Sequence, residues 1–261
     1  MKRFIFLLIA FFFITGFMFL SGNPGLRCLQ RAVVFDGTND YMARGADLTG
    51  IANGKQGFLA FWFKFNGGNG VAQKLINAEG YHYLNKGADN KFNLTMWGIT
   101  PAVALRVFST TAYTADATWH HLMASWDLAN NKKFLYIDGV DDLTADTLVN
   151  DTIGYESLVA NWGIGADQAG GGKSDADIAE FFFHTTYLDL SVAANRAKLY
   201  SSAGKPVNIG SDGSLVLGVQ PLVYQSVRSK DAATVFATNK GTGGDFTITG
   251  ALTLSATSPC N

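Results

Sequence analysis

Apolar and polar residues alternate along most of the chain from residue 30 onward, and one stretch shows the pattern most clearly. In GFLAFWFKF, every second residue is a large apolar one: Leu59, Phe61, Phe63 and Phe65. Successive side chains of a strand point to opposite faces, so this set predicts a strand with one face in the core. Trp62 and Lys64 lie on the other face.

Further stretches of the same kind are separated by short runs rich in Gly, Asn and Asp. They predict strands at residues 74–78, 91–97, 102–108, 119–126, 133–138, 160–165 and 177–184, with weaker signals at 222–225 and 246–249. Asp138 and Gly139 suit a tight hairpin turn, because both can adopt positive φ. Residues 188–206 have mixed helical periodicity and predict a short helix on the surface. Many short strands separated by turns predict an all-β sandwich or barrel.

The composition agrees with this interpretation and excludes one class of partner. Gly accounts for 29 of 261 residues, aromatic residues for 13% and charged residues for 16%, which favours strands and turns over helices. The net charge of −1 and the absence of a Lys/Arg-rich run offer no field that would attract phosphate backbones. Nucleic acid is therefore not expected as a partner.

The N-terminal residues 1–22 have the pattern of a targeting segment. Lys2 and Arg3 precede an apolar stretch at residues 4–20, which is at the lower limit for spanning a bilayer. Both a cleaved signal peptide and a retained membrane anchor fit this pattern. We expect an exported domain at residues 23–261, with a core at 32–200 and an extension at 201–261.

The two cysteines, Cys28 and Cys260, lie near the two ends of the expected domain. Export to an oxidising compartment favours a disulfide between them, whereas two free thiols are the alternative. Neither cysteine lies in a catalytic motif.

Four segments, in this order, carry a family resemblance: AVVFDGTNDYM, FLAFWFKF, TWHHLMASWD followed by FLYIDGVDD, and IAEFFFHTTYLDLSVAANRAKLY. Together they resemble the laminin-G-like jelly-roll domains of the concanavalin A-like lectin and glucanase superfamily, of the kind found in bacterial and phage proteins. The resemblance implies an antiparallel jelly-roll sandwich of two sheets. It also implies a binding or structural role, since many members bind carbohydrates or proteins and some hold calcium. Ala179 stands where the family pattern has an Asp before Glu180, so any role of that Asp is not transferred.

Catalytic patterns are weak. The glucanases of this superfamily place three acidic residues on one strand as E-x-D-x-x-E, but the three glutamates here, Glu79, Glu156 and Glu180, are far apart. A carboxylate pair built from distant loop aspartates would make the chain a cryptic glycosidase, which is the third and remotest reading. His120 and His121 are neighbours on a predicted strand, so they point to opposite faces and cannot chelate one ion together.

Two sets of loop residues could supply oxygen ligands to Ca²⁺, the one cofactor that the sequence suggests. They are Asp36, Asn39 and Asp40, and Asp167, Asp175 and Asp177. Asp and Asn are also the ordinary residues of tight turns, and this explanation is the better supported of the two.

Aromatic side chains could stack on the apolar faces of sugars. The candidates for ligand binding are Trp62, Tyr81, His82, Tyr83 and Trp97. The alternative is that each ring packs in the core of the sandwich.

The sequence therefore predicts an exported, non-enzymatic module that recognises a glycan or a surface polymer. The alternative is a structural subunit of a virion, a fibre or a cell surface, whose sandwich packs against copies of itself. A membrane would be a partner only through an uncleaved N-terminal segment.

Overall fold

The computed structural model describes residues 28–261, and the predicted signal peptide or anchor at 1–22 lies outside the described residues. The strands are β1 Gln30–Arg31, β2 Val33–Asp36, β3 Tyr41–Ala43, β4 Gln56–Phe65, β5 Gln73–Ala78, β6 His82–Lys86, β7 Phe92–Trp97, β8 Val103–Ser109, β9 His120–Asp127, β10 Lys132–Ile137, β11 Val140–Asp141, β12 Leu143–Leu148, β13 Gly163–Ile164, β14 Asp175–His184, β15 Val223–Gln225, β16 Val227–Arg228, β17 Thr247–Thr249 and β18 Thr253–Leu254. They are joined by an α-helix, α1 at Ala193–Arg196, and a 3-10 helix at Ala233–Ala237.

Two large antiparallel sheets pack face to face, as expected for a jelly-roll sandwich. The first sheet has the strand order β11-β10-β9-β4-β14-β2-β18, with β15 also paired to β14. The second has the order β12-β8-β7-β6-β5-β13-β3-β17, and β1 forms a separate pair with β16. The all-β fold predicted from the alternation is confirmed.

The core lies between the two sheets. The predicted apolar face of β4 belongs to it, since Leu59, Phe61, Phe63 and Phe65 are each at most 2% exposed. Burying a side chain of this size contributes about 1.5–3 kcal/mol relative to leaving it in water. The period-two pattern thus fixes which face of β4 meets the second sheet.

The predicted hairpin turn after β10 is also confirmed. Asp138 and Gly139 have φ angles of 53° and 77°, and Ile137 pairs with Val140 across the turn. Positive φ at both central residues matches the right-handed twist of the flanking strands.

The short surface helix predicted within residues 188–206 is present, but it is shorter than the predicted range. Only Ala193–Arg196 is helical, and no side chain caps its N-terminus at Val192. Apolar side chains of this segment, among them Leu190 and Leu199, are buried against the first sheet. Packing in an irregular conformation therefore replaces most of the expected turns of helix.

Residues 201–261 supply the last four strands of the fold. β15 pairs with β14, β16 with β1, β17 with β3, and β18 with β2. Phe236 and Phe246 from the same region join the core between the sheets. These residues therefore complete both sheets.

The predicted disulfide between Cys28 and Cys260 is confirmed. The two Cα atoms are 5.4 Å apart, and the bond joins residues separated by 232 positions in sequence. Closing a loop of this length contributes on the order of 5 kcal/mol in the chain-entropy account.

Candidate functional site

The outer face of the first sheet is covered by the chain itself. Phe58, Phe182 and Tyr224 of this face form a buried cluster with Leu190 and Leu199. This apolar face is therefore buried within the protein and is not accessible to a ligand.

The outer face of the second sheet is only partly covered. The loop at residues 166–173 folds over β13. It approaches so closely that a Cβ at Gly163 would lie 2.7 Å from the carbonyl oxygen of Ala166. Lys74 of β5 holds this loop through an ion pair with Asp167, at 2.6 Å between Nζ and Oδ2. Among the described residues, no buried apolar cluster extends over the outer side of β6, β7 and β8. These three strands present the part of the sheet that is accessible to a ligand.

The strand register defines what this part of the sheet displays. Tyr83 pairs with Thr95, and Thr95 pairs with Arg106, so these three side chains form one row across the strands. Asn85, Asn93 and Phe108 form the neighbouring row. All except Thr95 are half-buried. We call the six residues of these two rows the open face.

Hydrogen bonds within the open face leave some polar groups unused. The hydroxyl of Thr95 donates to Asn93 Oδ1 at 2.9 Å, and Arg106 Nε donates to Thr95 Oγ1 at 3.3 Å. In contrast, Asn85 Oδ1 is buried and has no hydrogen-bond partner among the described residues. A buried polar atom without a partner costs free energy, and a ligand or water molecule can satisfy it.

Two aromatic rings stand at the rim of the open face. Tyr81 and Trp97 meet edge to face, with ring centroids 5.9 Å apart and an interplanar angle of 79°. Tyr81 is 37% exposed, whereas Trp97 is half-buried and its indole Nε1 is a second buried polar atom without a partner. The exposed ring of Tyr81 thus lies beside an unused donor, and the unused acceptor of Asn85 lies four positions away along β6; rings and polar groups on one surface suit a polyhydroxylated ligand.

The structure divides the five residues predicted to bind sugar. Tyr81, Tyr83 and Trp97 lie together on or beside the open face. Trp62 and His82 are buried, with 2% and 0% exposure, so neither offers a ring face to a ligand and the expectation for them does not fit this structure.

Each of these two buried rings has a packing role. Trp62 packs against Tyr200 and His121, at centroid distances of 5.6 and 4.7 Å. His82 Nδ1 accepts a hydrogen bond from the backbone N–H of Trp97 (3.3 Å). Nε2 therefore carries the proton and donates to the carbonyl oxygen of Gly154 (3.0 Å). Burial lowers the pKa of His82 to about 4, so the ring is neutral at pH 7.

Five residues of the open face were missed by the search for aromatic platforms: Asn85, Asn93, Thr95, Arg106 and Phe108. A signal was present for two of them in FNLTMW, where the apolar Phe92, Leu94 and Met96 alternate with Asn93, Thr95 and Trp97, which places the second set on one face of a strand. In HYLNK the inward positions include His82 and Lys86, so hydrophobicity does not separate the two faces.

The first predicted calcium set is used by its own turn. Asp36 Oδ1 accepts the N–H groups of Thr38, Asn39 and Asp40 at 2.8, 3.0 and 3.3 Å. The backbone donors, that of Asn39 first, hold the pKa of Asp36 below its usual range. Asp40 Oδ1 in turn accepts the N–H of Ala251 at 2.7 Å.

Most carboxylates of the second predicted calcium set also form ion pairs or hydrogen bonds within the protein. Asp177 forms an ion pair with Lys64 at 2.8 Å and accepts a hydrogen bond from Asn66 Nδ2 at 2.6 Å. Asp167 pairs with Lys74, as described above. Burial raises the pKa of Asp175, and the neighbouring carboxylates of Asp36 and Asp177 raise it further.

No group of three or more His, Cys, Asp or Glu residues within 28–261 has an arrangement that could hold a metal ion. The carboxylates of Asp36, Asp40 and Asp177 already have protein partners, and calcium binding stays a prediction for experiment.

Two of the glutamates, Glu180 and Glu79, form hydrogen bonds with other parts of the fold. Glu180 is buried at a β-bulge in β14, where its φ is 50° and the neighbouring strand changes from β2 to β15. Its carboxylate accepts hydrogen bonds from Tyr224 Oη at 2.7 Å and from Arg228 Nη1 at 3.1 Å. Burial raises the pKa of Glu180, while Arg228 acts in the opposite direction. Glu79 Oε2 accepts the N–H of Ala160 at 3.1 Å.

His120 and His121 do point to opposite faces. His120 Nδ1 lies 2.6 Å from Asp138 Oδ2, and its ring stacks near Phe63 of the core. His121 lies on the outer side of the first sheet beside Trp62, and burial lowers its pKa to about 3.

Comparisons with solved structures give the same fold. A "putative carbohydrate binding protein" from Bacteroides ovatus aligns with a TM-score of 0.59 and 13% identity over 87% of this chain, which spans 60% of that protein. A heptameric SAP-like pentraxin from Limulus polyphemus aligns with a TM-score of 0.52 and 12% identity, over 88% of this chain and 97% of the pentraxin. At such identities the likeness shows the fold alone. No curated protein matches the chain.

A family comparison gives the classification. A laminin G family model, described as the concanavalin A-like lectin/glucanases superfamily, matches residues 36–191. This range includes β3 to β14, and therefore the central strands of both sheets and the whole open face. Because the match covers more than half of the residues, the chain belongs to the concanavalin A-like lectin/glucanase superfamily.

Proposed function

We propose that the chain is an exported, non-enzymatic module that binds a glycan or a surface polymer through the open face. The observation that carries this proposal is the exposed ring of Tyr81 against Trp97, whose indole Nε1 has no partner within the described residues, together with the unpartnered Asn85 Oδ1 farther along β6. The superfamily contains lectins, and the Bacteroides ovatus protein, described as carbohydrate-binding, shares the fold. Both support a saccharide as the ligand.

The composition of the open face favours binding over hydrolysis. The outward positions of β6, β7 and β8 carry no Asp or Glu. A retaining glycosidase needs two carboxyl groups about 5 Å apart on either side of the scissile bond. A sugar bound on these strands would therefore meet donors, acceptors and rings, without an acid and nucleophile pair.

The expected localisation agrees with the covalent chemistry. A disulfide such as Cys28–Cys260 is typical of proteins in oxidising compartments. No helix within residues 28–261 is long and apolar enough to cross a membrane.

Binding can be tested with the disulfide-bonded protein on an array of polysaccharides. We expect Tyr83→Ala and Trp97→Ala to weaken binding about tenfold or more, equivalent to about 1.4 kcal/mol. Phe134→Ala is the matched control, because Phe134 is a half-buried ring on the outer side of the first sheet. Urea unfolding of each variant separates a loss of contact from a loss of folding.

Two results would contradict the proposal. One is the absence of binding to any polysaccharide on the array by the folded wild-type protein. The other is equal weakening by Tyr83→Ala and Phe134→Ala. Size-exclusion chromatography on the same samples tests the alternative of a structural subunit, since that function requires stable assembly of the protein with copies of itself.

A further inference from the structure

We propose that Arg106 recognises a carboxylate, so that the ligand of the open face is an acidic saccharide containing uronic acid units. This inference rests on the proposed function and names the chemical class of its ligand. It begins from the position of Arg106 in the middle of the accessible strands. Arg106 lies on β8 and pairs with Thr95 on one side and with Thr147 on the other.

Within the described residues, no carboxylate pairs with Arg106. Its Nε donates to Thr95 Oγ1, and its two terminal amino groups donate to no side chain within the described residues. Three other cations near the sheets form ion pairs with nearby carboxylates: Lys64 with Asp177 at 2.8 Å, Lys74 with Asp167 at 2.6 Å and Arg228 with Glu180 at 3.1 Å. The guanidinium of Arg106 is thus a positive charge on a face whose outward positions on β6, β7 and β8 lack Asp and Glu.

The contact with Thr95 also restricts the orientation of the guanidinium. Because Nε donates to Thr95, the terminal nitrogens are the remaining donors, and paired N–H groups of this kind match the two oxygens of a carboxylate. Because the fork is planar, a carboxylate can accept two parallel hydrogen bonds, whereas a lysine in its place would act as a point charge.

The neighbouring rings fit a polymer that continues beyond this contact. Tyr83 lies two strands away from Arg106 in the same row, a distance of about 10 Å at the usual strand spacing. Phe108 lies next to Arg106 on the same face of β8, in the adjacent row. A saccharide chain of several units can therefore contact a ring and place a carboxylate on Arg106 at the same time.

The test uses uronic acid polysaccharides printed beside their carboxyl-reduced forms, in which the linkages are unchanged and the charge is removed. We expect the wild-type protein to bind at least one uronate polymer about tenfold or more tightly than its reduced form. Arg106→Gln should remove this difference, and Arg106→Lys should retain only part of it. Lys230→Gln is the control, because it removes one positive charge at an exposed position in the turn after β16.

The outcomes separate this inference from the proposed function. Equal binding of a uronate polymer and its reduced form, sensitive to Tyr83→Ala, would overturn the role of Arg106 and leave glycan binding in place. Equal binding to sulfated polymers that lack uronic acid would overturn recognition of a carboxylate. Failure of the folded protein to bind any printed polysaccharide would contradict both. An equal loss in Arg106→Gln and Lys230→Gln would show an effect of net charge and would also overturn the inference.

Discussion

Lowering the pH from 7.5 to 5.0 should destabilise the protein through two buried histidines. Burial lowers the pKa of His82 to about 4 and that of His121 to about 3, against 6.5 for an ordinary histidine. Below pH 6.5 the unfolded chain binds protons that the folded protein excludes, so stability falls as the pH decreases. At pH 5.0 the difference of 1.5 pH units is equivalent to about 2 kcal/mol for each histidine.

His121→Phe isolates one of these two contributions. The His121 ring packs against both Trp62 and Tyr200, at centroid distances of 4.7 and 5.7 Å, and its Nδ1 has no hydrogen-bond partner within the described residues. A phenyl ring can occupy the same space without a buried unsatisfied atom. Between pH 7.5 and 5.0, the free energy of unfolding of His121→Phe should therefore fall by about 2 kcal/mol less than that of the wild type.

Urea unfolding at the two pH values measures this difference directly. Contributions of other groups, such as the raised pKa of Glu180, are common to both proteins and cancel in the comparison. NMR titration of the imidazole Cε1–H signals provides an independent check, because His121 should stay neutral at pH 5.0. Equal losses of stability in the two proteins, or a His121 signal that titrates near pH 6.5, would refute the reasoning.

Three further changes test other parts of the structure. Trp62→Ala should lower the free energy of unfolding by about 3–5 kcal/mol, because the ring is fully packed; urea unfolding with a loss below 1 kcal/mol would place Trp62 at the surface. Replacing both Cys28 and Cys260 with Ser should lower the free energy of unfolding by about 2–5 kcal/mol. A melting temperature equal to that of the wild type would show that the disulfide does not stabilise the protein. Melting temperatures in millimolar calcium and in chelator should agree, because Asp36 and Asp177 already have protein partners; a clear rise with calcium would show that an ion binds the folded state.

The sequence was most informative where the two faces of a strand differ strongly. The row from Leu59 to Phe65 predicted the core face of β4, and Asp138 with Gly139 predicted the turn after β10. β6 was missed because its inward positions include His82 and Lys86, both fully buried. Lys86 is tolerated there because its Nζ donates to the carbonyl oxygen of Gly68 at 2.7 Å. A pattern of hydrophobicity cannot reveal a buried polar residue whose partner comes from a distant loop.

The candidate site was only partly predictable for a related reason. The period of two predicts that Trp62 points away from the core face. It does not predict whether another segment covers the ring. The covering residues, including Tyr200, come from an irregular stretch more than 130 positions away in sequence. Conversely, Tyr83 and Arg106 become neighbours in one row only through the pairing of three strands. Such proximity depends on topology, which the local pattern does not contain.

The disulfide has a mechanical consequence. A pulling force applied between the chain before Cys28 and the chain after Cys260 would pass through the sulfur atoms and bypass the chain between the two cysteines, whose sequence separation is 232. Stretching the oxidised protein by its ends should therefore leave both sheets intact. After reduction the same force would reach the strands, and complete unravelling would release roughly 800 Å of chain at about 3.4 Å per residue. The bond makes the domain inextensible along the line that joins its ends.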